Sequence, residues 1–215
     1  DTLIIRAHGA IPELIEAARE KGIDLIDTTC PFVQKSQNYV SSMAEEGRKV
    51  IIIGDASHPE VRAIFELSGS DPITIDTPVQ ARRIEGIDHA GVVIQTTFSR
   101  EKAMRIISEL EERIPDLRIH DTICKATLFR QEATLKLAGE VDLVIVVGGK
   151  GSSNTRRLYQ MCIDRDIKSR FIETADEIDP SWFHDGDRVG ITTGTSTPDW
   201  VIEDVIERLG EISDC

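Results

Sequence analysis

Short runs of β-branched and aliphatic residues alternate along the chain with stretches in which apolar positions recur at helical spacing. The runs at 3–6, 24–27, 49–53, 73–75, 91–94, 117–120, 142–147, 170–172 and 188–191 predict nine strands. Most are continuously apolar, the pattern of strands covered on both faces in a parallel sheet. The intervening stretches open with helix-start signals: Pro12 and Pro31 suit first turns, and Ser99 suits the cap of a helix running toward Pro115. Strand and helix alternate throughout, which predicts an α/β protein with right-handed crossovers.

The pattern also repeats. Asp27-Thr28-Thr29-Cys30 recurs as Asp121-Thr122-Ile123-Cys124, and the run ending at Gly54 recurs as the run ending at Gly148, both 94 residues on. The stretch from Val93 to Thr97 aligns with Gly190 to Gly194 at an offset of 97. Leu3 to Gly9 resembles the same late strand and its loop. The expected organisation is therefore residues 1–29 as the tail of a first α/β unit whose remainder is missing, 30–120 as a second unit and 121–215 as a third. An opening directly on a strand, without an initiator Met, fits the expectation of a missing upstream part.

Composition narrows the function. With 40% apolar and 29% charged residues the chain is globular, and no apolar run is long enough for a bilayer. A net charge of −13 opposes binding to nucleic acid and to anionic membranes. Four cysteines, Cys30, Cys124, Cys162 and Cys215, without a recognisable secretory leader point to a reducing, cytoplasmic setting.

Ligands of parallel α/β sheets sit beyond the carboxyl ends of the strands. There the chain carries Ala7-His8-Gly9, Thr29-Cys30-Pro31, Ser57-His58-Pro59-Glu60, Gln95-Thr96-Thr97, Ile123-Cys124-Lys125, Gly151-Ser152-Ser153-Asn154 and Thr195-Ser196-Thr197. A lone Cys ahead of a helix is more often packing than chemistry, but Cys30 and Cys124 occupy the same place in two repeats, which favours a shared metal-ligand role. Cys162 and Cys215 have no repeat partner and are read as packing and solvent-exposed. His58 and Glu60 could form a short proton relay, but the triplet alone reads better as Ser57 or His58 capping a helix whose dipole Glu60 complements. The Gly-rich stretch from Gly148 to Asn154 is neither a Walker loop nor a dinucleotide fingerprint, and by itself reads equally as a Ser/Asn cap on a tight turn or as a phosphate site made of amides and hydroxyls. His89, His120 and His184 receive no role.

Taken together, Arg6-Ala7-His8-Gly9, Asp27-Thr28-Thr29-Cys30-Pro31, His58-Pro59-Glu60-Val61, Gln95-Thr96-Thr97, Cys124-Lys125-Ala126-Thr127, Ser152-Ser153-Asn154 and Gly194-Thr195-Ser196-Thr197-Pro198-Asp199 resemble the 4-hydroxy-3-methylbut-2-enyl diphosphate reductase family, in the family's order and over the whole chain. The resemblance implies pseudo-symmetric α/β domains, with mainly parallel sheets, around a central [4Fe-4S] cluster. It also implies reductive dehydroxylation of an allylic diphosphate to isopentenyl and dimethylallyl diphosphate in the methylerythritol phosphate pathway. By carry-over, Cys30 and Cys124 are two cluster ligands, and Glu60 with Thr96 delivers protons. His8, His58, Gln95, Thr97, Ser152, Ser153, Asn154 and Ser196 hold the substrate, and ferredoxin or a flavodoxin-type protein gives electrons. The family's third cluster Cys lies in an N-terminal segment absent here, so the chain alone is expected to be inactive. Two other readings compete: a non-catalytic phosphometabolite-binding module, and a flavodoxin-like carrier, which two Trp and two Tyr make the weaker.

Overall fold

The computed structural model describes residues 1–69 and 71–213, so Cys215 lies outside the described residues. In chain order it runs β1 (Thr2–Ile5), α1 (Pro12–Glu20), β2 (Asp24–Asp27), α2 (Pro31–Glu45), β3 (Lys49–Ile53), α3 (Pro59–Leu67), β4 (Ile73–Ile75), α4 (Pro78–Ala81), β5 (His89–Ile94), α5 (Arg100–Glu111), β6 (Asp116–His120), α6 (Lys125–Ala138), β7 (Leu143–Val147), α7 (Ser153–Ile163), β8 (Ser169–Ile172), β9 (Val189–Thr193) and α8 (Asp199–Ser213). Each strand lies within two residues of an expected run at either end. Pro12 and Pro31 open α1 and α2, and the Ser99 hydroxyl caps α5, which ends at Glu111 rather than reaching Pro115. No helix among the described residues is long and apolar enough to cross a membrane.

All strand pairings among the described residues are parallel, in three sheets ordered β1-β2, β4-β3-β5-β6 and β8-β7-β9. The chain divides into two compact units, Asp1–Cys124 and Lys125–Cys215.

In the first unit, β3 and β5 form the centre of the larger sheet. Val50, Ile52 and Val93 pack against Val40 and Met43 of α2 and Val61 and Ile64 of α3, all buried. In the second unit the two faces of β7 are covered separately. Leu143, Ile145 and Val147 meet Val201 and Val205 of α8, whereas Val144 and Val146 meet Leu158 and Cys162 of α7. Alternate side chains of one strand thus enter two cores, which is why the run is apolar without interruption. Each such side chain contributes about 1.5–3 kcal/mol on burial. Cys162, fully buried, is a packing residue as expected.

The repeat is visible in the topology, since β4-β3-β5 and β8-β7-β9 have the same order. Its offsets are not constant. Ile53 pairs with Ile75 and Ile94, and Val147 with Ile172 and Thr193. Relative to the 94 residues separating the central strands, the offset grows to 97 at β4 and β8 and to 99 at β5 and β9. The sequence alignment at 97 is therefore two residues short at the last strand. A slip of two keeps every side chain on its face, so the hydrophobic pattern alone could not expose it.

A second repeated device is a glycine that admits the helix following each repeated Cys. A Cβ on Gly91 would come 1.9 Å from Met43 Sδ, and one on Gly190 would come 2.8 Å from Leu137 Cγ. Gly91→Ala is therefore expected to cost about 1–3 kcal/mol through overpacking. In urea unfolding this appears as a lower midpoint at unchanged m-value.

Candidate active site

In the first unit, the candidate residues at the strand ends form a connected series of contacts. After β2 the chain turns on Asp27, whose Oδ1 accepts the Thr29 N–H at 2.8 Å, and the Cys30 N–H donates to the Ala7 carbonyl at 2.9 Å. After β6 the Cys124 N–H donates to the Thr96 carbonyl, also at 2.9 Å. Both thiols are free and half-buried, and Cys30 stands at the N-cap of α2 without capping it. Each Cys is therefore fixed through its backbone.

Next to Ala7, the His8 ring lies edge-on to His58 with centroids 5.0 Å apart. Burial, reinforced by the Arg6 charge, holds His8 below the usual imidazole pKa and favours the neutral ring. His58 caps α3: its Nδ1 accepts the Glu60 N–H at 3.2 Å, so the ring proton is assigned to Nε2. The cap reading and the site reading of His58 are thus compatible.

Glu60 follows in the first turn of α3, only 1% exposed. Its Oε1 accepts the Thr96 N–H and its Oε2 contacts the Thr96 hydroxyl, both at 2.7 Å. Burial pushes the Glu60 carboxyl upward from its ordinary pKa, while the two Thr96 hydrogen bonds pull the other way. Gln95, 3% exposed, is engaged at both ends of its amide: Oε1 accepts the Asp55 N–H and Nε2 donates to Thr97 Oγ1, each at 3.0 Å. It ties the loop before His58 to Thr97.

In the second unit, Ser152 caps α7 by accepting the Thr155 N–H at 3.3 Å. Ser153 and Asn154 open the helix. Asn154 is 5% exposed, and neither its Oδ1 nor its Nδ2 has a hydrogen-bond partner among the described residues. Ser196 lies in a turn closed by Thr197 N–H to the Gly194 carbonyl at 3.2 Å. The turns at His8 and Thr97 have the same closure, Gly9 to Arg6 and Phe98 to Gln95, both 2.9 Å. His8, Thr97 and Ser196 therefore occupy equivalent positions. Lys150, in the Gly-rich stretch, has its ammonium paired with Glu177 at 2.6 Å.

Reading the sequence missed two supports of this arrangement: the bridging role of Gln95, and the hydroxyls of Thr28 and Thr122. The two threonines lay inside the repeated motif, but their partners depend on strand register. A cavity of about 1080 Å³ between the His184–Val189 segment and the end of α8 contains none of the candidate residues.

Two thiols at equivalent strand ends suit two corners of an iron–sulfur cluster. Among the described residues there is no group of three His, Cys, Asp or Glu able to hold a metal, and Cys162 is sealed in the second unit's core. The described residues thus place two thiols at these strand ends and not a full three-thiolate set.

The sequence pattern of the LytB protein family matches residues 1–210. The protein of Pelobacter propionicus named 4-hydroxy-3-methylbut-2-enyl diphosphate reductase is 43% identical over 212 residues, which span 99% of this chain and 76% of that protein. The protein of the same name from Aquifex aeolicus is 40% identical over 215 residues, 99% of this chain and 74% of its own. A solved structure of (E)-4-hydroxy-3-methyl-but-2-enyl diphosphate reductase, described as the terminal enzyme of the non-mevalonate pathway, superposes with a TM-score of 0.63 at 41% identity, covering 98% of this chain and 76% of that one. The Plasmodium falciparum E-1-hydroxy-2-methyl-but-2-enyl-4-diphosphate reductase superposes with a TM-score of 0.90 at 28% identity, covering 96% and 66%.

Proposed function

The chain belongs to the LytB protein family, and we propose on that premise that its sites serve the reductive dehydroxylation of (E)-4-hydroxy-3-methylbut-2-enyl diphosphate to isopentenyl and dimethylallyl diphosphate. The curated relatives and solved structures it matches are reductases of this diphosphate or its like. Replacing a hydroxyl by hydrogen and releasing water consumes two electrons and two protons.

The observation that carries the reading is the buried Glu60–Thr96 pair. Burial keeps a proton on Glu60 to higher pH than an exposed carboxyl would hold it. With Glu60 protonated, its O–H donates to Thr96 Oγ1 across the same 2.7 Å contact. The Thr96 hydroxyl proton is then released toward the leaving oxygen, and the carboxylate left behind is held by the Thr96 N–H. His8 and His58, with Thr97, Ser152, Ser153, Asn154 and Ser196, are proposed to hold the diphosphate. Neutral hydroxyls, amides and helix N-termini suit one small anion on a chain of net charge −13.

Cys30 and Cys124 are proposed as two ligands of a [4Fe-4S] cluster whose third thiolate comes from outside the described residues. When bound, such a cluster supplies electrons and an iron with an open coordination position. Reduction would come from ferredoxin or a flavodoxin-type donor, and the free thiols suit a cytoplasmic setting. With Cys30 and Cys124 as the two proposed ligands among its four cysteines, the 215-residue chain by itself is expected to turn over no substrate.

Anaerobic reconstitution of the cluster-containing reductase that carries this sequence tests the assignment. Its visible cluster absorbance should disappear in Cys30→Ser and in Cys124→Ser; full cluster content in both variants would overturn it. Unaltered affinity of the iron-free chain for the diphosphate would favour a phosphometabolite-binding module instead.

A further inference from the structure

The backbone of Ile94 presents a problem that one side chain solves. β6 ends at His120, which pairs with Val93, so the next residue of β5 has no strand partner on that side. Ile94 is 1% exposed, and an unpaired N–H and carbonyl there would be buried without water. The Thr122 hydroxyl meets both. Its oxygen accepts the Ile94 N–H at 2.8 Å, and its proton goes to the Ile94 carbonyl in a short hydrogen bond. Thr122 is itself 4% exposed. Two residues on, the Cys124 N–H closes onto the Thr96 carbonyl.

The first copy shares part of this arrangement. Ile5 still pairs with Asp27, and its carbonyl accepts the Thr28 N–H at 3.0 Å; the Thr28 hydroxyl donates to the same carbonyl, and two residues on the Cys30 N–H closes onto the Ala7 carbonyl. In both copies the hydroxyl bonds the carbonyl of the neighbouring strand's last residue, and the chain leaves the sheet with its Cys two residues later. Thr96 meanwhile gives its N–H to Glu60 and its carbonyl to Cys124, so the Cys124 loop and the buried acid share one anchor.

We infer that Thr122 is a positioning residue that fastens the Cys124 loop to the strand end carrying Thr96, and that the Thr28 hydroxyl reinforces the Cys30 loop through its bond to the Ile5 carbonyl. The fastening stands on these hydrogen bonds alone; its meaning for catalysis rests on the roles proposed above for Cys124, Thr96 and Glu60. Valine keeps the shape of threonine and removes the hydroxyl, whereas serine keeps the hydroxyl.

The test is alkylation of the metal-free chain with iodoacetamide at fixed pH, with each Cys followed by peptide mass spectrometry. Thr122→Val should raise the rate at Cys124 about tenfold through more frequent opening of its loop, leaving Cys30 within about twofold. Thr122→Ser should restore the original rate, and Thr28→Val should raise Cys30 instead. An unchanged Cys124-to-Cys30 ratio in folded Thr122→Val, or an equal rise at both thiols, overturns the proposal. Thr28 is exposed, so if Thr122→Val does not fold, Thr28→Val decides alone, and an unchanged Cys30 rate overturns it. None of these rates depends on reductase activity, so a failed cluster assignment and a failed fastening would be told apart.

Discussion

Replacing Glu60 by Gln is expected to lower turnover of the cluster-loaded reductase carrying this sequence by about 10²–10⁴-fold, the range lost when a positioned proton donor is removed. The fold should survive, because glutamine has nearly the same shape. What it lacks is the acidic proton and one acceptor oxygen. Protonated Glu60 accepts the Thr96 N–H with one oxygen and donates to Thr96 Oγ1 with the other, and an amide can make both contacts through its oxygen and its nitrogen. The stability difference between the two chains therefore depends on pH, in a direction fixed by the raised pKa of Glu60, which burial causes. Between the unfolded value of 4.5 and the higher folded value, the folded chain binds more protons than the unfolded one. The contribution of Glu60 to stability is therefore complete below about pH 4.5 and is lost as pH rises through the folded pKa. The Glu60→Gln variant has no such loss, so urea unfolding at about pH 5 and about pH 8 should show it gaining on the wild type as pH rises. A variant keeping more than about a tenth of the activity would remove Glu60 from the proton path.

How far such a site can be read in advance depends on what carries each part of it. The strands were legible because β7 is buried on both faces and its sequence, Leu143 to Val147, admits no polar residue. The repeated Cys positions were legible because the motif Asp-Thr-x-Cys is local, and the structure gives both copies the same backbone closure. Register was not. The offset of β9 was misplaced by two residues, since an even slip leaves the pattern of faces intact. For the same reason the partners of Thr28 and Thr122 could not be foreseen: both bonds cross from one strand end to the next. Glu60 shows the limit most clearly. Nothing in His58-Pro59-Glu60 distinguishes an exposed acid at a helix start from one that is 1% exposed, because the residue it bonds, Thr96, lies on another strand end.

Asn154 occupies in the second unit the position that Glu60 holds in the first, two residues after the cap of the helix that follows the central strand. The two differ in how they are satisfied. Glu60 has Thr96 on both oxygens, whereas Thr195, the residue matching Thr96 at the offset of 99, is exposed and Asn154 has both amide atoms buried and unpartnered. An unsatisfied buried amide costs about 1–3 kcal/mol, a cost natural proteins keep where a ligand will supply the missing bonds. Asn154→Leu, close in volume, is therefore expected to raise the stability of the free chain by about 1–2 kcal/mol and to weaken binding of the allylic diphosphate by about tenfold to a hundredfold. Asn154→Asp preserves shape but sets a negative charge against a diphosphate, and should weaken binding further. Urea unfolding and calorimetry separate the two effects. A loss of stability in Asn154→Leu would mean that the amide serves the fold; a gain accompanied by lost affinity would mean that its hydrogen bonds are reserved for the ligand. The repeat would then have turned one backbone position to two ends, a fully partnered acid that stores a proton in one unit and an unpartnered amide that waits for an anion in the other.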